Sequence, residues 1–598
     1  MHAPRTPTLL ERVRLWAARF WPYLGLVLLN FWLFVPRFLT AEAHWLPFTP
    51  EADSALQYPL QLFGRRDNLD VFRFSIDLAV AVLVLIWTAR TPAKRGLRVL
   101  CTTLYVVLWV FLAYHHAVAH FYERKPALFE DIRLSLNLWH FIEGYARYGF
   151  LVVAGLVLYL ALLSSLVARC FAALQLRAAG WPERRKLRVS AALALPAALS
   201  LIVYGARRDQ PFFQVTTKAV TANFRASVRE AKRMAQLRSA PPDLRYEAFS
   251  QIHLKRKPDV YLVMVEAYGE ILSTWDMNDA YSALMQRVDE RLGRAGYHTA
   301  SIYSASPVHG GTSWFSISTV HTGIQIDRPQ AYDALQRVGA RIPSITRFFR
   351  EQGYLTHALQ PGVQLHSGLN RFDLFNHEIT VDATTLGYQG PEYGWGVIPD
   401  QYSIGMFRER DFRPSDQPRY TFFMGVSTHY IWENTPPYVR DWKSLQQAKP
   451  QRRDYDDSWA PLDPKLLRRI GTDMRRDYFR SIIYEWRLLT EWFEAEAKRG
   501  NVILVIGDHQ PRLEWEVPGG VTMNTPVHVI SQDAALVERF KSRGFQDGMY
   551  AQPHQGPTLQ HAGLYSLFLT ELSEQYAEEG SAKARYFPQG LPLAGLNR

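Results

Sequence analysis

Two apolar runs end in residues that can bind a metal. The run 259–265 (Asp-Val-Tyr-Leu-Val-Met-Val) stops at Glu266, with Gly269 close behind. The run 501–507 (Asn-Val-Ile-Leu-Val-Ile-Gly) stops at Asp508 and His509. Short, β-branched, fully apolar runs read as buried strands of a parallel sheet. In open α/β sheets, ligands bind just beyond the carboxyl ends of such strands. A single acid there is usually solvated or a helix cap. Two strand ends that both carry oxygen or imidazole ligands point to a metal site. A third group lies in His309-Gly310-Gly311-Thr312-Ser313. The two glycines let the backbone approach a ligand closely. Residues 314–320 are apolar at helical spacing, which puts Thr312 at a helix N-terminus. Free N–H groups and the positive dipole end suit a phosphate or a developing oxyanion there. An ordinary N-cap threonine is the alternative. A metal beside it would lower the hydroxyl's pKa and make it a nucleophile.

The rest of the chain must position these groups. A long helix is expected over 473–499, feeding the second strand. Upstream, five apolar stretches near 20–38, 76–89, 98–119, 148–168 and 189–206 approach the ~20 residues needed to cross a bilayer. The second is the shortest, and it reaches that length only with Phe72, Phe74 and Asp77 at an interface. The first lacks a small-residue cleavage site and reads as an anchor, not a signal peptide. Arg5, Arg12, Arg14 and Arg19 precede span one, and arginine and lysine clusters follow spans two and four. The positive-inside rule then places the N-terminus in the cytoplasm and everything after residue 206 outside it. His115, His116 and His120, near the end of span three, could be ligands or a proton relay. Interfacial histidines at a helix end are the plainer reading. Residues 217–238 show a basic helical pattern that could lie on anionic lipid or pack on the next domain.

The formal net charge of +12 is unevenly placed. Lysine and arginine exceed acids by ten in residues 1–205 and by eight in 206–257, whereas acids exceed them by six in 258–598. A nucleic-acid binder would carry the positive charge on its folded domain, so that class is excluded. The two cysteines, both before residue 171, exclude a disulfide scaffold and a cysteine-ligated zinc module. The expected organisation is a five-span helical membrane domain (1–206), a basic juxtamembrane linker helix (207–257) and a soluble α/β domain with a mostly parallel sheet (258–598).

Taken in order, the five spans, the linker, Glu266-Ala-Tyr, Gly-Gly-Thr312-Ser, Ser-Thr-His429 and Gly-Asp508-His509-Gln-Pro resemble one family. It is the lipoteichoic acid synthase group of the alkaline phosphatase/sulfatase superfamily, which includes periplasmic phosphoglycerol transferases. The resemblance implies a sulfatase-like fold for 258–598. It implies one divalent metal, Mn²⁺ with Mg²⁺ or Zn²⁺ also accepted, on Glu266, Thr312, Asp508 and His509. It makes Thr312 the nucleophile, His429 a substrate-binding group that could act as acid or base, and Arg371 a phosphate-binding group. Arg371 could equally pair with Asp373 at the surface. The family's tryptophan two residues before that arginine is Leu369 here, and Trp395 could take its place in the pocket or simply pack.

The implied reaction moves a phospholipid headgroup, phosphoglycerol from phosphatidylglycerol first, to an envelope glycan or polymer at the inner membrane. Phosphoethanolamine transfer is the near alternative. A sulfatase would need a cysteine to mature into formylglycine, and none follows Cys170. A two-metal phosphatase would need a second cluster, to which His554 and His561 could contribute, ordinary loop and helix histidines being the plainer reading. A non-catalytic envelope sensor or scaffold would be expected to have lost part of the ligand set. Residues 431–465 read as a polar insertion.

Overall fold

The computed structural model describes residues 23–39, 43–44, 69–70, 73–122, 126, 128, 131, 149–206, 213–238, 247–338, 343–362, 374–394, 398–410, 417–446, 464–497, 500–513, 522–553 and 558–591. Its contacts divide the chain into two units, Met1–Arg233 and Met234–Arg598.

The first unit is helical: α1 (Tyr23–Phe38), α2 (Ile76–Trp87), α3 (Lys94–Tyr122), α4 (Gly149–Ala178), α5 (Glu183–Ala206) and α6 (Thr216–Arg238). Among the described residues, two helices are long and apolar enough to cross a membrane, Lys94–Val118 in α3 and Val153–Ala178 in α4. Their outward faces are apolar, with Val99, Leu100, Val107, Val157 and Leu162 all exposed. Such a face suits hydrocarbon and not water. The expected count of five spans is met only in part. α1 and α2 are shorter apolar helices. α5 begins with a charged run, Glu183 to Arg188. Inside the unit, Leu33, Phe34, Leu85, Ile86, Val167 and Phe171 form a closed core.

Asp77, at the start of α2, is buried in this unit. Its carboxylate accepts from the backbone N–H of Thr216 (2.6 Å) and of Thr217 (3.4 Å), and from the Thr217 hydroxyl (2.6 Å). It therefore caps the N-terminus of α6, where a negative charge meets the helix dipole. Thr216, Asn223 and Ser227 bury one face of α6, while Phe224, Lys218, Arg225, Arg229 and Lys232 are exposed. His115 and His116 lie in α3 with their rings 5.4 Å apart, and His116 is buried.

The second unit is a three-layer α/β/α domain. Its strands are β1 (Asp259–Val265), β2 (His298–Ala305), β3 (Leu355–Gln360), β4 (Ile379–Asp382), β5 (Arg419–Gly425), β6 (Asn501–Gly507), β7 (Asn524–Ser531), β8 (Gln546–Asp547) and β9 (Leu559–Gln560). They form one sheet in the order β8-β2-β7-β6-β1-β5-β3-β4, with β9 beside β2. The five neighbours from β6 to β4 are all parallel, and β7 runs antiparallel to β6 and β2. The mostly parallel sheet read from the apolar runs is present, joined by an antiparallel member.

Alternation along β1 divides the core. Val260, Leu262 and Met264 face a layer holding α8 (Ser313–Thr322) and α11 (His561–Tyr576). Tyr261, Val263 and Val265 face the layer of α7 (Asn278–Arg294), α9 (Asp400–Arg410) and α10 (Asp473–Glu496). Burial on both faces explains why β1 and β6 have no polar alternation. The helix expected over 473–499 is α10, capped by the Thr472 side chain on Arg475 N–H.

Candidate metal centre and nucleophile turn

Three central strands stop at one level. In register, Val265 of β1 lies opposite Gly507 of β6 on one side and Gly425 of β5 on the other. The residue after each strand therefore opens onto the same edge, so Glu266 and Asp508 meet although far apart in sequence. Gly507 allows the approach, because a Cβ there would fall 1.9 Å from the Tyr268 carbonyl oxygen.

Glu266, Asp508 and His509 each offer a ligand atom, all within 4.8 Å of one another, and all three residues are buried. His509 Nε2 lies 3.2 Å from Glu266 Oε1 and 3.3 Å from Asp508 Oδ2. Asp508 Oδ1 is saturated by the N–H groups of Ala267 (2.8 Å) and His509 (2.6 Å). Asp508 Oδ2 is buried and receives no hydrogen bond among the described residues. His509 Nδ1 lies 2.8 Å from the Gln510 carbonyl, an acceptor, so Nδ1 carries the proton. In the neutral ring, Nε2 then turns a lone pair toward two carboxylates, an arrangement that calls for a proton or a cation.

The electrostatics agree. Burial raises the Asp508 carboxyl well above its ordinary range, and the charge of Glu266 raises it further. Burial would also raise Glu266, but the charge and hydrogen bond of His509, with a smaller effect of His429, hold it at about 2. Burial opposes charge on His509, yet Asp508 and Glu266 lift it to about 9. The residues present fit a divalent cation, since two carboxylates and an imidazole suit a borderline-hard ion.

Beside this cluster the chain turns sharply into α8. Thr312 is its N-cap, in the left-handed region at φ 62°, after Gly310 and Gly311. A β-branched residue is rarely found there, so the turn stores strain of order 1–3 kcal/mol. The Thr312 hydroxyl donates to the Gly311 carbonyl and makes no capping bond. The next residue reaches the cluster directly. Ser313 Oγ donates to Glu266 Oε2 (2.9 Å) and lies 3.4 Å from His509 Nε2. The sequence pattern pointed to the Thr312 turn at the start of this helix and not to Ser313. Its signal was available, as the first helical residue after the Gly-Gly-Thr turn.

His429 lies on the turn after β5. Its N–H donates to the Val426 carbonyl (3.0 Å), and its ring acts on Glu266. The preceding Thr428 ties this turn to the centre, its hydroxyl donating to the Glu266 carbonyl (2.6 Å). Arg371, Leu369, Trp395 and His554 lie outside the described residues. His561 is buried, with Nδ1 2.9 Å from Ser304 Oγ and Nε2 3.1 Å from the Gly507 carbonyl. It is committed to internal bonds. The segment expected as a polar insertion holds short helical turns at Trp432–Asn434 and Trp442–Gln446 and a helix at Pro464–Arg469, and residues 447–463 lie outside the described residues.

The structure is similar to several solved proteins. One is the lipoteichoic acid synthase LtaP from Listeria monocytogenes, with 13% identity and a TM-score of 0.35, covering 61% of this chain and 81% of that one. Another is the integral membrane lipooligosaccharide phosphoethanolamine transferase A from Neisseria meningitidis, with 14% identity and a TM-score of 0.45, covering 93% of this chain and 95% of that one. The Streptococcus pyogenes phosphoglycerol transferase GacH, in complex with sn-glycerol-1-phosphate, has 11% identity and a TM-score of 0.34, over 60% of this chain and 87% of that one. No family model matches the chain. No curated protein matches it either.

Proposed function

We propose that this protein is a membrane-anchored, metal-dependent transferase that moves a phospholipid headgroup to an envelope glycan or polymer through a phospho-Thr312 intermediate. The observation that carries the reading is the meeting of Glu266, Asp508 and His509 at one strand edge beside the strained turn of Thr312. Phosphoglycerol from phosphatidylglycerol is the favoured group, because α6 exposes Lys218, Arg225, Arg229 and Lys232, which attract anionic lipid. The anchor is the N-terminal unit, read as a multi-pass inner-membrane domain with a cytoplasmic N-terminus and the α/β domain outside.

Glu266, Asp508 and His509 would hold the cation, with a hydroxyl of the Thr312 turn completing the set; Mn²⁺ is the first choice, and Mg²⁺ and Zn²⁺ fit the same donors. When bound, such an ion lowers a hydroxyl's pKa and offsets charge on phosphate oxygens. The chain's own groups do the rest. The Thr312 hydroxyl gives its proton to water, and the resulting oxygen attacks phosphorus, forming one P–O bond as the bond to diacylglycerol breaks; it leaves again as the same anion in the second step. The free N–H groups at the start of α8 face the non-bridging oxygens. His429 gives a proton to the departing diacylglycerol oxygen, then takes one from the acceptor hydroxyl as that oxygen displaces Thr312. Arg371 holds a phosphate oxygen, and Trp395 lines the headgroup pocket. Ser313 keeps the Glu266 carboxylate oriented.

The test uses the purified full-length protein with Mn²⁺ and labelled phosphatidylglycerol or phosphatidylethanolamine. Mass spectrometry should find glycerol phosphate on Thr312 and free diacylglycerol. Ethanolamine phosphate on Thr312 would move the reading to the other headgroup. Release of diacylglycerol from neither lipid would remove it.

A further inference from the structure

A second pair of acids lies under the same sheet edge. Asp400, the first residue of α9, and Glu485, in the middle of α10, are both fully buried. Asp400 Oδ2 accepts the backbone N–H groups of Val426 and Ser427, each at 2.7 Å. In return, Asp400 N–H donates to Ser427 Oγ at 2.9 Å. Asp400 Oδ1 and both carboxyl oxygens of Glu485 receive no N–H or neutral hydroxyl donor among the described residues. The two carboxyls meet each other. Gly425 lies against them, and a Cβ there would fall 2.8 Å from Glu485 Oε1 and 3.5 Å from Asp400 Oδ2.

We infer that Asp400 and Glu485 share one proton and together act as a positioning pair that fixes the turn from Val426 to His429. Two touching buried carboxylates cannot both be ionised without a cation between them. A protonated Glu485 supplies the donor that Asp400 Oδ1 otherwise lacks, and leaves Asp400 charged to hold two backbone N–H groups. Burial, and then the charge of Asp400, push the Glu485 carboxyl well above its ordinary range. Burial lifts Asp400 to about 6, against the opposing N–H bonds of Ser427 and Val426. Among the described residues, the other titratable group facing them is the phenol of Tyr484 on α10, which accepts from Gln401 N–H at 3.2 Å.

What the pair holds matters for the centre. Val426 and Ser427 lead into Thr428, whose hydroxyl binds the Glu266 carbonyl, and into His429. Gly425, just before them, accepts from Glu266 N–H at 3.3 Å. The pair therefore anchors the backbone of a proposed ligand and of the proposed acid-base group at once. The part that concerns His429 rests on the transferase reading; the shared proton does not.

Two measurements on the full-length protein test this. The infrared spectrum at neutral pH should contain a protonated-carboxyl band that disappears in Glu485→Gln. A band unchanged in that variant overturns the shared proton. For positioning, Asp400→Ala and Glu485→Ala should each lower kcat for headgroup release about 10- to 100-fold. Glu485→Gln, whose amide restores a donor, should recover most of that loss. Combining Asp400→Ala with His429→Ala should cost little more than His429→Ala alone. Mn²⁺ affinity, an activity-free readout, should fall about tenfold in Asp400→Ala and hold in Glu485→Gln. Additive kcat losses together with unchanged Mn²⁺ affinity overturn the positioning role. A wild type that shows the band and binds Mn²⁺ but releases diacylglycerol from neither lipid defeats the transferase reading while supporting the pair.

Discussion

Asp77 and Asp508 are both buried aspartates at the edge of an apolar run, the first at its start and the second at its end, and their surroundings differ in one respect. Asp77 Oδ2 accepts two N–H groups of α6 and Oδ1 accepts a hydroxyl. Asp508 is saturated on Oδ1 only, and Oδ2 points at Glu266 and His509 with no backbone N–H or hydroxyl donor among the described residues. The first is a joint, its charge spent on a helix end. The second retains unspent acceptor capacity, which a fold keeps where something else is meant to bind. Sequence alone does not separate them, since each is an acid beside an apolar run. The separation comes from counting donors.

The largest effect expected concerns the turn beside Asp508. Thr312→Ala should lower diacylglycerol release by about 10⁴-fold or more, while Thr312→Ser retains part of it. The check is headgroup release in the presence of Mn²⁺. If Thr312→Ala is harmless and Ser313→Ala is not, the nucleophile is the neighbouring hydroxyl.

Asp508→Asn sharpens the contrast with Asp77. It should weaken Mn²⁺ binding by about 100-fold or more, since it removes an anionic ligand, yet above pH about 9, where His509 carries no charge for Asp508 to hold, it should not lower the thermal stability of the metal-free protein. Removing an unpaired buried acceptor relieves a desolvation penalty of about 1–3 kcal/mol. Calorimetric titration and thermal unfolding read the two effects separately. A large loss of metal-free stability would make Asp508 a joint like Asp77.

A pH effect of about tenfold per unit should follow. His509 is lifted to about 9 in the metal-free protein by Asp508 and Glu266, and metal binding needs its Nε2 bare. Mn²⁺ affinity should therefore rise with pH up to about 9, with about one proton released per ion near neutrality. Titration in two buffers of different ionisation enthalpy counts it. The sign for metal-free stability is opposite. A histidine raised above its unfolded value of about 6.5 stabilises fully below that value. The contribution is lost as pH rises toward 9.

The smallest effect belongs to Asp77. Asp77→Ala should cost about 0.5–2 kcal/mol, the size of a lost N-cap, seen as a lower unfolding temperature in detergent. Mn²⁺ affinity of the other unit should be unchanged.

Much of this was legible. The apolar runs at 259–265 and 501–507 named the strands and the acids and histidine that meet at their ends, because burial on both faces leaves an unbroken signature. The two glycines before Thr312 named the turn. Other features were not legible, for physical reasons. Ser313 touches Glu266 only because the left-handed Thr312 swings the first turn of α8 inward, and a backbone angle has no unique spelling. Asp400 and Glu485 come together through tertiary packing. The one hint was an acid between Tyr484 and Trp486 on the buried face of a helix. Of the five expected spans, two are matched by helices long and apolar enough among the described residues, where α1 and α2 are shorter apolar helices.

The shared finishing line of β6, β1 and β5 has a consequence for how this protein can change. A side chain's face alternates with every residue of a strand. Deleting or adding one residue in any of the three would send its terminal group to the opposite layer, with the chemical alphabet of the centre still complete. Loops away from the Thr312 turn and the Val426–His429 turn can drift in length, whereas these strands are locked to a common frame. On the proposed reading, a homologue with Glu266, Asp508 and His509 intact but one strand a residue longer should bind no Mn²⁺ at this edge.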